Sequence, residues 1–477
     1  MATPLKSTRL IDMDDPPRHQ QPCTLVLDVG KTNVVLLLMD KAGTILDTAR
    51  LRNQSLEGPP YPHVDTEKIW QFLLEAAADF AANHVIDAIV PTTHGCTAAL
   101  VSADGLVLPI VDYETEVPDE AATAFCDVAP TFAETQSPNL PAGLNLGRHL
   151  FWLQRDFPEA FYSAECLLTY PQYWAWRLCG VTASEITSIG CHAHLWDPRK
   201  RCFSSLVERQ GWTHLFPPLQ PAYAALGSLR PELATQTGLS ADCRVYNGIH
   251  DSNSAYCLYL KGRSAPFSLV STGTWVVMIS PRLPLDRLNE ERDTLAFVDL
   301  MGEPVPAARY MGGREFEILT SQAGDSREFS EADLRKVIAE QSMLLPSYAP
   351  GGPFMGRQGS TLGPEPHTDG ETLARVTLYC ALMTATSTRM LEMDGDLMID
   401  GGFVNNELYC RLLATLAGCD QCFVNHETEG TAVGAGMLPA WEAEDVESPL
   451  QLGRVERFDD PALRAYIERW QCAVESS

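Results

Sequence analysis

The chain has 477 residues, with 35 lysines and arginines and 62 aspartates and glutamates, which gives a formal net charge of −27 at pH 7. We expect no nucleic-acid partner, because affinity for phosphate backbones depends on lysine and arginine. Hydrophobic residues make up 45% of the chain. At about 150 residues per domain, two or three domains are expected.

The cysteines and the first 22 residues indicate in which cellular compartment the protein is expected. Fourteen cysteines are scattered through apolar segments, which is typical of reduced thiols in a cytoplasmic protein. Cys419 and Cys422 lack a second pair at zinc-ligand spacing, so packing is favoured there over a metal site. Residues 1–22 hold no apolar signal segment, and no run nears the ~18 residues of a membrane span. We expect a flexible polar leader, no membrane contact and a cytoplasmic protein.

The first patterned region predicts strands that alternate with a helix. Strands are predicted at 24–28 and 34–39, on either side of a glycine turn, and at 44–51. Helical spacing over 69–80 leads into a buried strand at 85–90. This alternation indicates an α/β domain.

A similar pattern returns in the second half of the chain. The segment LDVGKTNVVLL resembles LVSTGTWVVMI, since each has a strand, a small polar turn and a second strand. We therefore predict two related halves that meet near residue 247, each presenting a hairpin loop to a shared cleft. Chance likeness between two hairpins is the alternative on this feature alone. The other predicted elements are a helix ending at 390, a strand at 396–400, a helix at 407–416, a strand at 422–424, a helix from 429 and a surface loop at 346–369.

The segment from Asp28 to Asn33 contains Gly-Lys-Thr but is no nucleotide P-loop. That motif needs a glycine where Leu25 stands, and it leads into a helix rather than a strand. A carboxylate beside a glycine turn can instead bind phosphate through backbone amides and Mg²⁺ through water. An ordinary acidic hairpin turn is the alternative.

Two further segments can serve phosphoryl transfer. Ser271 to Thr274 forms a second hydroxyl-rich turn, which could grip a polyphosphate from the opposite side. Asp251, between the two halves, can accept a proton from a hydroxyl that attacks phosphorus. Its alternative role is that of a helix N-cap.

Other polar segments carry weaker signals. Gly401 and Gly402 follow a strand and allow a planar ring to approach the backbone, although the full dinucleotide fingerprint is missing. His94 follows a buried strand, where ligands often bind in α/β sheets, but a structural histidine is the alternative. His192 and His194 would face opposite sides of a strand, which argues against a metal site. No Gly-x-Ser-x-Gly nucleophile motif occurs.

Taken in order, these motifs resemble the FGGY family of carbohydrate kinases, in the superfamily of actin, hexokinase and heat-shock-70 proteins. The resemblance runs from Thr24 to Trp441 and implies an α/β fold of two actin-like (ribonuclease H-like) domains around an interdomain cleft. Residues 23–247 would bind the sugar and residues 248–477 the nucleotide. The motifs are DVGKTN, TYPQYWAWRLCG, TASEITSIG, GIHD, STGTW, DGGFVNNELYCRLLA and EGTAVGAGMLPAW.

The resemblance also implies roles for individual residues. Asp251 would be the catalytic base, and Asp28 and Asp251 would hold Mg²⁺ through water. Sugar contacts would come from His94, Gly95, Gln172, His250 and Asp251. ATP contacts would come from Asp28, Gly30, Lys31, Thr32, Asn33, Ser271, Thr272, Gly273, Thr274, Gly401, Gly402 and Asn406.

The expected activity is ATP-dependent phosphorylation of a primary hydroxyl of a small ketose. The GIHD and STGTW segments resemble kinases of L-rhamnulose and L-fuculose more than those of glycerol. Two departures leave details open: Lys31 stands where the family usually has a small hydroxyl residue, and THGCTAALV differs from the expected sugar-facing segment. The sugar can thus be another ketose or a polyol, and a homodimer is left open. The alternative is an actin-fold nucleotide-binding protein without phosphotransfer, against which the intact Asp28 and Asp251 argue.

Overall fold

The structure is a computed structural model that describes residues 21–140, 142–261, 266–321, 328–426, 429–443 and 448–476. The predicted leader lies, except for its last two residues, outside the described residues. Within these ranges, no helix has the length and apolar character needed to cross a membrane.

The first half of the chain, in its described residues, forms a seven-stranded sheet, a three-stranded sheet, a two-stranded sheet and the helices around them. Its strands are β1 (Cys23–Val29), β2 (Asn33–Met39), β3 (Ile45–Arg52), β4 (Ile86–Thr93), β5 (Ala98–Ser102), β6 (Gly105–Leu106), β7 (Cys166–Thr169), β8 (Trp196–Asp197), β9 (Cys202–Phe203), β10 (Ala225–Ser228), β11 (Arg244–Tyr246) and β12 (Ile249–His250). Its helices are α1 (Thr66–Ala81), α2 (Asp119–Cys126), α3 (Phe132–Thr135), α4 (Leu146–Asp156), α5 (Pro158–Tyr162), α6 (Tyr170–Cys179), α7 (Ile186–Ile189), α8 (Ser205–Arg209) and α9 (Pro231–Thr237).

Strand β1 lies inside the seven-stranded sheet, whose order is β10-β11-β4-β1-β2-β3, with β12 also paired to β4. It runs antiparallel to β2 and parallel to β4. Leu25 and Leu27 pack on one face of the sheet with α1 and α6, whereas Val26 packs on the other face with helices of the second half. Burial on both faces explains why the strand reads as a continuous apolar run rather than an alternating one.

The second half repeats this plan in a sheet of order β15-β16-β14-β13-β19-β20-β21. Its strands are β13 (Phe267–Thr272), β14 (Val276–Ile279), β15 (Thr294–Val298), β16 (Pro304–Tyr310), β17 (Met343–Leu345), β18 (Ser360–Leu362), β19 (Asp396–Gly401), β20 (Cys422–Asn425) and β21 (Leu452–Arg454). Its helices are α10 (Asp251–Leu260), α11 (Gly312–Thr320), α12 (Glu331–Glu340), α13 (Asp369–Met390), α14 (Glu407–Leu416), α15 (Gly430–Gly436) and α16 (Leu463–Ser476). Strand β13 is antiparallel to β14 and parallel to β19, as β1 is to β2 and β4.

Helices α10 and α15 join the two sheets in one hydrophobic core that also takes side chains from β1, β2, β13 and β14. The helices pack closely, because a Cβ on Gly434 would lie 1.9 Å from the carbonyl oxygen of Ser254. The same atom on Gly436 would lie 2.2 Å from Cε of Met39. The small residues of the EGTAVGAG segment thus serve this helix crossing.

Two features differ from the sequence predictions. Strand β12 pairs in parallel with β4, with Ile249 opposite Thr92 and His250 opposite Thr93, so the first sheet extends past the predicted boundary at residue 247. The predicted loop at 346–369 contains β18, which pairs antiparallel with β17. Short strands of three residues have too few side chains to show an alternating pattern.

Candidate active site

Three parallel strands of the first sheet end at one edge and bring polar residues together there. Asp28 near the end of β1 lies opposite Thr92 of β4, and His250 of β12 lies opposite Thr93. His94 follows β4 directly, and Asp251 is the first residue of α10 after β12. This edge is where ligands bind in α/β sheets.

The corresponding edge of the second sheet is formed by β13 and β19. Ser271 lies opposite Asp400, and Thr272 lies opposite Gly401. The Thr272 hydroxyl donates to the Asp400 carbonyl oxygen at 2.5 Å and accepts from the Phe403 N–H at 2.9 Å. Gly401 has φ +84°, and a Cβ there would lie 2.0 Å from the Thr272 carbonyl oxygen. Only glycine allows this approach of the two strands.

Three cavities follow one another between these edges. The first, of about 610 Å³, has walls from both halves, including His94, His250 and Asp251 on one side and Trp275 on the other. The second, of about 390 Å³, contains Asp28, Asp400 and Glu429. The third, of about 470 Å³, lies among Gly273, Thr274, Phe316, Gly402, Phe403 and Asn406.

Shared residues show that the cavities are continuous. Ser271 and Thr431 line both the first and the second cavity. Gly402 and Asn405 line both the second and the third. A single cleft therefore runs from the His94 side, past Asp28, to the loop after β19.

The carboxylate of Asp251 has a defined orientation in this cleft. Its Oδ1 accepts from the Ser252 N–H at 2.6 Å and from the Ser252 hydroxyl at 3.2 Å. The His250 Nε2 lies 3.1 Å from the same oxygen. Burial lowers the pKa of His250, so this neutral ring must carry its proton on Nε2, since a carboxylate only accepts. These donors converge on Oδ1. Among the residues that the structure describes, none donates to Oδ2, which can therefore accept a further proton.

Asp28 lies in a strongly negative environment. Burial, followed by the nearby carboxylates of Asp251 and Glu429, raises the pKa of Asp28 to about 7, while Arg50 acts in the opposite direction. A cation at this point would relieve the repulsion, and carboxylates are preferred ligands of Mg²⁺. Among the described residues, no group of three or more His, Cys, Asp or Glu is arranged to enclose a metal. The donor set fits Mg²⁺, which is usually held by one or two carboxylates together with phosphate oxygens and water.

Similarity to known proteins extends over both halves. Residues 23–257 match the N-terminal domain of the FGGY family of carbohydrate kinases, and residues 264–448 match the carbohydrate kinase FGGY C-terminal domain. A crystal structure of a carbohydrate kinase from Novosphingobium aromaticivorans is 34% identical, with a TM-score of 0.88 over 96% of this chain and 99% of that one. The chain belongs to the FGGY family of carbohydrate kinases.

Other FGGY relatives are more distant. The L-fuculokinase of Salmonella typhi is 28% identical over an alignment of 272 residues that covers 54% of this chain and 57% of that protein. The match thus spans little more than half the length of this curated relative. Xylulose kinase from Rhodospirillum rubrum is 18% identical and has a TM-score of 0.75 over 95% of this chain and 98% of its own. These structures confirm the predicted fold of two actin-like domains around a cleft.

The first loop of this FGGY protein places its side chains unevenly. The Gly30 N–H donates to the Asn33 carbonyl oxygen at 2.9 Å, which closes the hairpin turn. Thr32 and Asn33 are exposed at its tip. Lys31 instead forms an ion pair with Asp112, beside the wall of the first cavity. Its ammonium is therefore engaged within the first half of the protein.

Gln172, a predicted sugar contact, is buried behind the cleft and lines none of the three cavities described above. Its amide donates to the carbonyl oxygens of Asn247 at 2.9 Å and Gly248 at 3.3 Å. The Thr169 hydroxyl donates to its oxygen. The side chain thus supports the turn that leads to His250 and Asp251, and a direct sugar contact of Gln172 stays a prediction.

Sequence reasoning missed several residues of the first cavity, namely Tyr113, Glu114, Cys191, Trp275 and Arg309. The prediction of a strand through His192 and His194 was wrong, because both have positive φ, at +36° and +63°. His192 lines the cavity, whereas His194 is buried with its Nε2 3.1 Å from the Ser137 carbonyl oxygen. A lone arginine in the apolar segment VPAARY was the available signal for Arg309.

Proposed function

We propose that this protein transfers the γ-phosphate of ATP to a primary hydroxyl of a small ketose, with Asp251 as general base. The observation that carries the proposal is the continuous cleft, in which Asp251 lines the first cavity, Asp28 the second, and Gly273 and Thr274 of the second hairpin loop the third. The sugar would occupy the first cavity and the adenosine the third. The phosphates would then pass Asp28 in the second.

The chemistry follows from the orientation of Asp251. Its Oδ2, to which no described residue donates a hydrogen bond, takes the proton of the sugar hydroxyl as the hydroxyl oxygen attacks phosphorus and ADP leaves. The Gly30 and Gly273 N–H groups close their turns onto the carbonyl oxygens of Asn33 and Trp275, each at 2.9 Å. The phosphate oxygens would therefore be bound by the neighbouring N–H groups of the two loops. Bound at Asp28, Mg²⁺ would neutralise negative charge on the phosphates. Closure of the two halves around the sugar would exclude water, the competing acceptor.

The first cavity favours a deoxyketose such as L-fuculose or L-rhamnulose. Leu269, Ile279, Leu295 and Phe297 give it an apolar wall, which suits the terminal methyl group of these sugars. His94 and His250 lie on the opposite, polar side. The match to an L-fuculokinase supports this choice. A cytoplasmic location is proposed as well, since the described cysteines are all free thiols.

The test is ADP release by the purified protein with Mg²⁺, ATP and a panel of ketoses and polyols, with L-fuculose and L-rhamnulose first. We expect turnover that requires the sugar and a phosphomonoester product visible by phosphorus NMR. ATP without sugar is the control for simple hydrolysis. Nucleotide binding that is indifferent to every sugar, without turnover, would support a non-catalytic actin-fold protein instead.

A further inference from the structure

Arg309 of β16 brings a positive charge from the second half to the first cavity. Its side chain is only 11% exposed. The strand pairs antiparallel with β14, and Arg309 lies opposite Val277, which also lines the cavity. This residue has no role in the proposed transfer so far, and it lines the cavity in which the sugar is proposed to bind.

The guanidinium of Arg309 is held rigidly on two sides. Its Nε donates to Oδ1 of Asp293 at 2.9 Å, and the Asp293 side chain is only 3% exposed. The other oxygen of Asp293 accepts from the Gly352 N–H at 3.0 Å. The guanidinium carbon lies 4.6 Å from the ring centroid of Trp275, within the range of a cation–π contact.

The terminal nitrogens of Arg309 are left for a ligand. Within the part of the chain that the structure describes, only Nε of this guanidinium has a hydrogen-bond partner. Neither terminal nitrogen is among the fully buried, unpartnered atoms of the described residues, and Arg309 lines the cavity. Both nitrogens can therefore donate to a ligand with acceptor oxygens that enters the cavity.

The charge of Arg309 acts across the cavity on the first half. Burial, followed by the positive charge of Arg309, lowers the pKa of His192 to about 3. His192 and Asp251 both line the cavity, and Asp251 directly follows β12 at the edge of the first sheet. A ligand in this cavity can therefore contact Asp251 at the edge of the first sheet and Arg309 of the second sheet.

We propose that Arg309 is a specificity residue that donates hydrogen bonds from its terminal nitrogens to sugar oxygens other than the attacking hydroxyl. The ligand is a neutral sugar, because Asp251, Glu114 and Glu116 also line the cavity and disfavour an anion. The planar fork of arginine suits two neighbouring oxygens. This inference rests on the proposed function, since it assigns the sugar to the first cavity.

The test compares R309K, R309Q and the double variant R309Q/D293N with the full-length wild-type protein. We expect KM for the best ketose to rise roughly 10- to 100-fold, as for the loss of hydrogen bonds from a charged group, while KM for ATP stays within twofold. R309K should recover only part of the affinity, because an ammonium lacks the fork. The double variant avoids a buried unpaired Asp293 if R309Q fails to fold. R282Q, which breaks the exposed Arg282–Asp394 pair of the same half, is the matched control.

Calorimetric titration of the ketose in the presence of ADP separates this inference from the proposed function. The dissociation constant should rise by the same factor in the Arg309 variants, whether or not turnover is observed. Sugar binding without any turnover in the wild type would overturn the proposed transfer alone. Unchanged ketose affinity and KM in R309K and in the double variant would overturn the role of Arg309. Preference of the wild type for a sugar acid over its neutral counterpart would overturn the neutral ligand.

Discussion

The two hairpins of the protein share a backbone plan but differ in chemistry. Strand β1 pairs with β2 and β4 as β13 pairs with β14 and β19. The first edge carries the carboxylates of Asp28 and Asp251. The loop of the second carries hydroxyls and a glycine, from Ser271 to Thr274. In the proposed transfer, the same scaffold would separate two tasks: proton and metal chemistry at the first edge, and nucleotide binding at the second.

The strongest test of the second edge is the substitution of Gly401 by alanine. We expect the free energy of unfolding to fall by more than about 3 kcal/mol, because a Cβ clash with the Thr272 backbone adds to left-handed strain. Gly211→Ala is the matched control: its φ is +73° with no atom near the added Cβ, so a loss of about 1 kcal/mol is expected. Urea unfolding measures both variants. Equal losses would show that the approach of β13 and β19 is not tight.

Neutralising Asp28 is the most direct test of the difference between the two edges, because it removes a carboxylate from the first edge. We expect Asp28→Asn to lower kcat roughly 10²- to 10³-fold and to raise the Mg²⁺ concentration needed for half-maximal rate. Ser271→Ala, the counterpart on the second hairpin, should cost less than about 10-fold because it removes one neutral hydroxyl. Mg²⁺ titrations of ADP release compare the two. Similar losses in both variants would contradict the division of tasks.

The first edge rests on a buried carboxylate, Glu185. Its Oε2 accepts from the Thr187 hydroxyl at 2.6 Å, and the oxygen of that hydroxyl accepts from the backbone N–H of His250 at 3.1 Å. Burial raises the pKa of Glu185 to about 7 from its ordinary 4.5. The folded protein therefore holds a proton that the unfolded chain loses, and this stability is present below pH 4.5 and lost as pH rises to about 7.

Glu185→Gln removes this pH dependence. The variant should gain stability over the wild type as pH rises from 4.5 to 7, by up to about 3 kcal/mol. Denaturant unfolding at several pH values measures the difference. A stability difference that stays constant with pH would show that Glu185 is already ionised in the folded protein.

The smallest effect is expected at Lys31 of the first loop. Lys31→Thr restores a small hydroxyl residue and should leave KM for ATP within threefold of the wild type, because the ammonium pairs with Asp112. The loss of this pair should cost about 1 kcal/mol of stability at most. Lys41→Thr, which breaks a more exposed pair with Asp87, is the control. A tenfold rise in KM for ATP would instead make Lys31 a phosphate contact.

Much of the framework was predictable, because buried strands and helices leave local patterns. The helix predicted at 407–416 is found as Glu407–Leu416, and the strands of both hairpins lie where apolar runs placed them. These runs report burial on both faces of a central strand. The motif residues at the carboxyl ends of β1 and β12 then meet because both strands run parallel to β4 and end at one edge of the first sheet.

The rest depends on contacts distant in sequence. Arg309 reaches the cavity only through the pairing of β16 with β14, and Asp112 meets Lys31 across 81 residues. The amide of Gln172 faces inward to the turn at Asn247, which its motif could not show. No local periodicity reports such neighbours.

Phosphoryl transfer by Asp251→Asn tests the role of the cleft most directly. ADP release with the best ketose and ATP affinity should be measured on the same preparation of variant and wild type. We expect ATP affinity within threefold of the wild type and sugar-dependent turnover lower by roughly 10²- to 10⁴-fold, the usual contribution of a general base. Turnover equal to that of the wild type would contradict the assignment of Asp251 as the base.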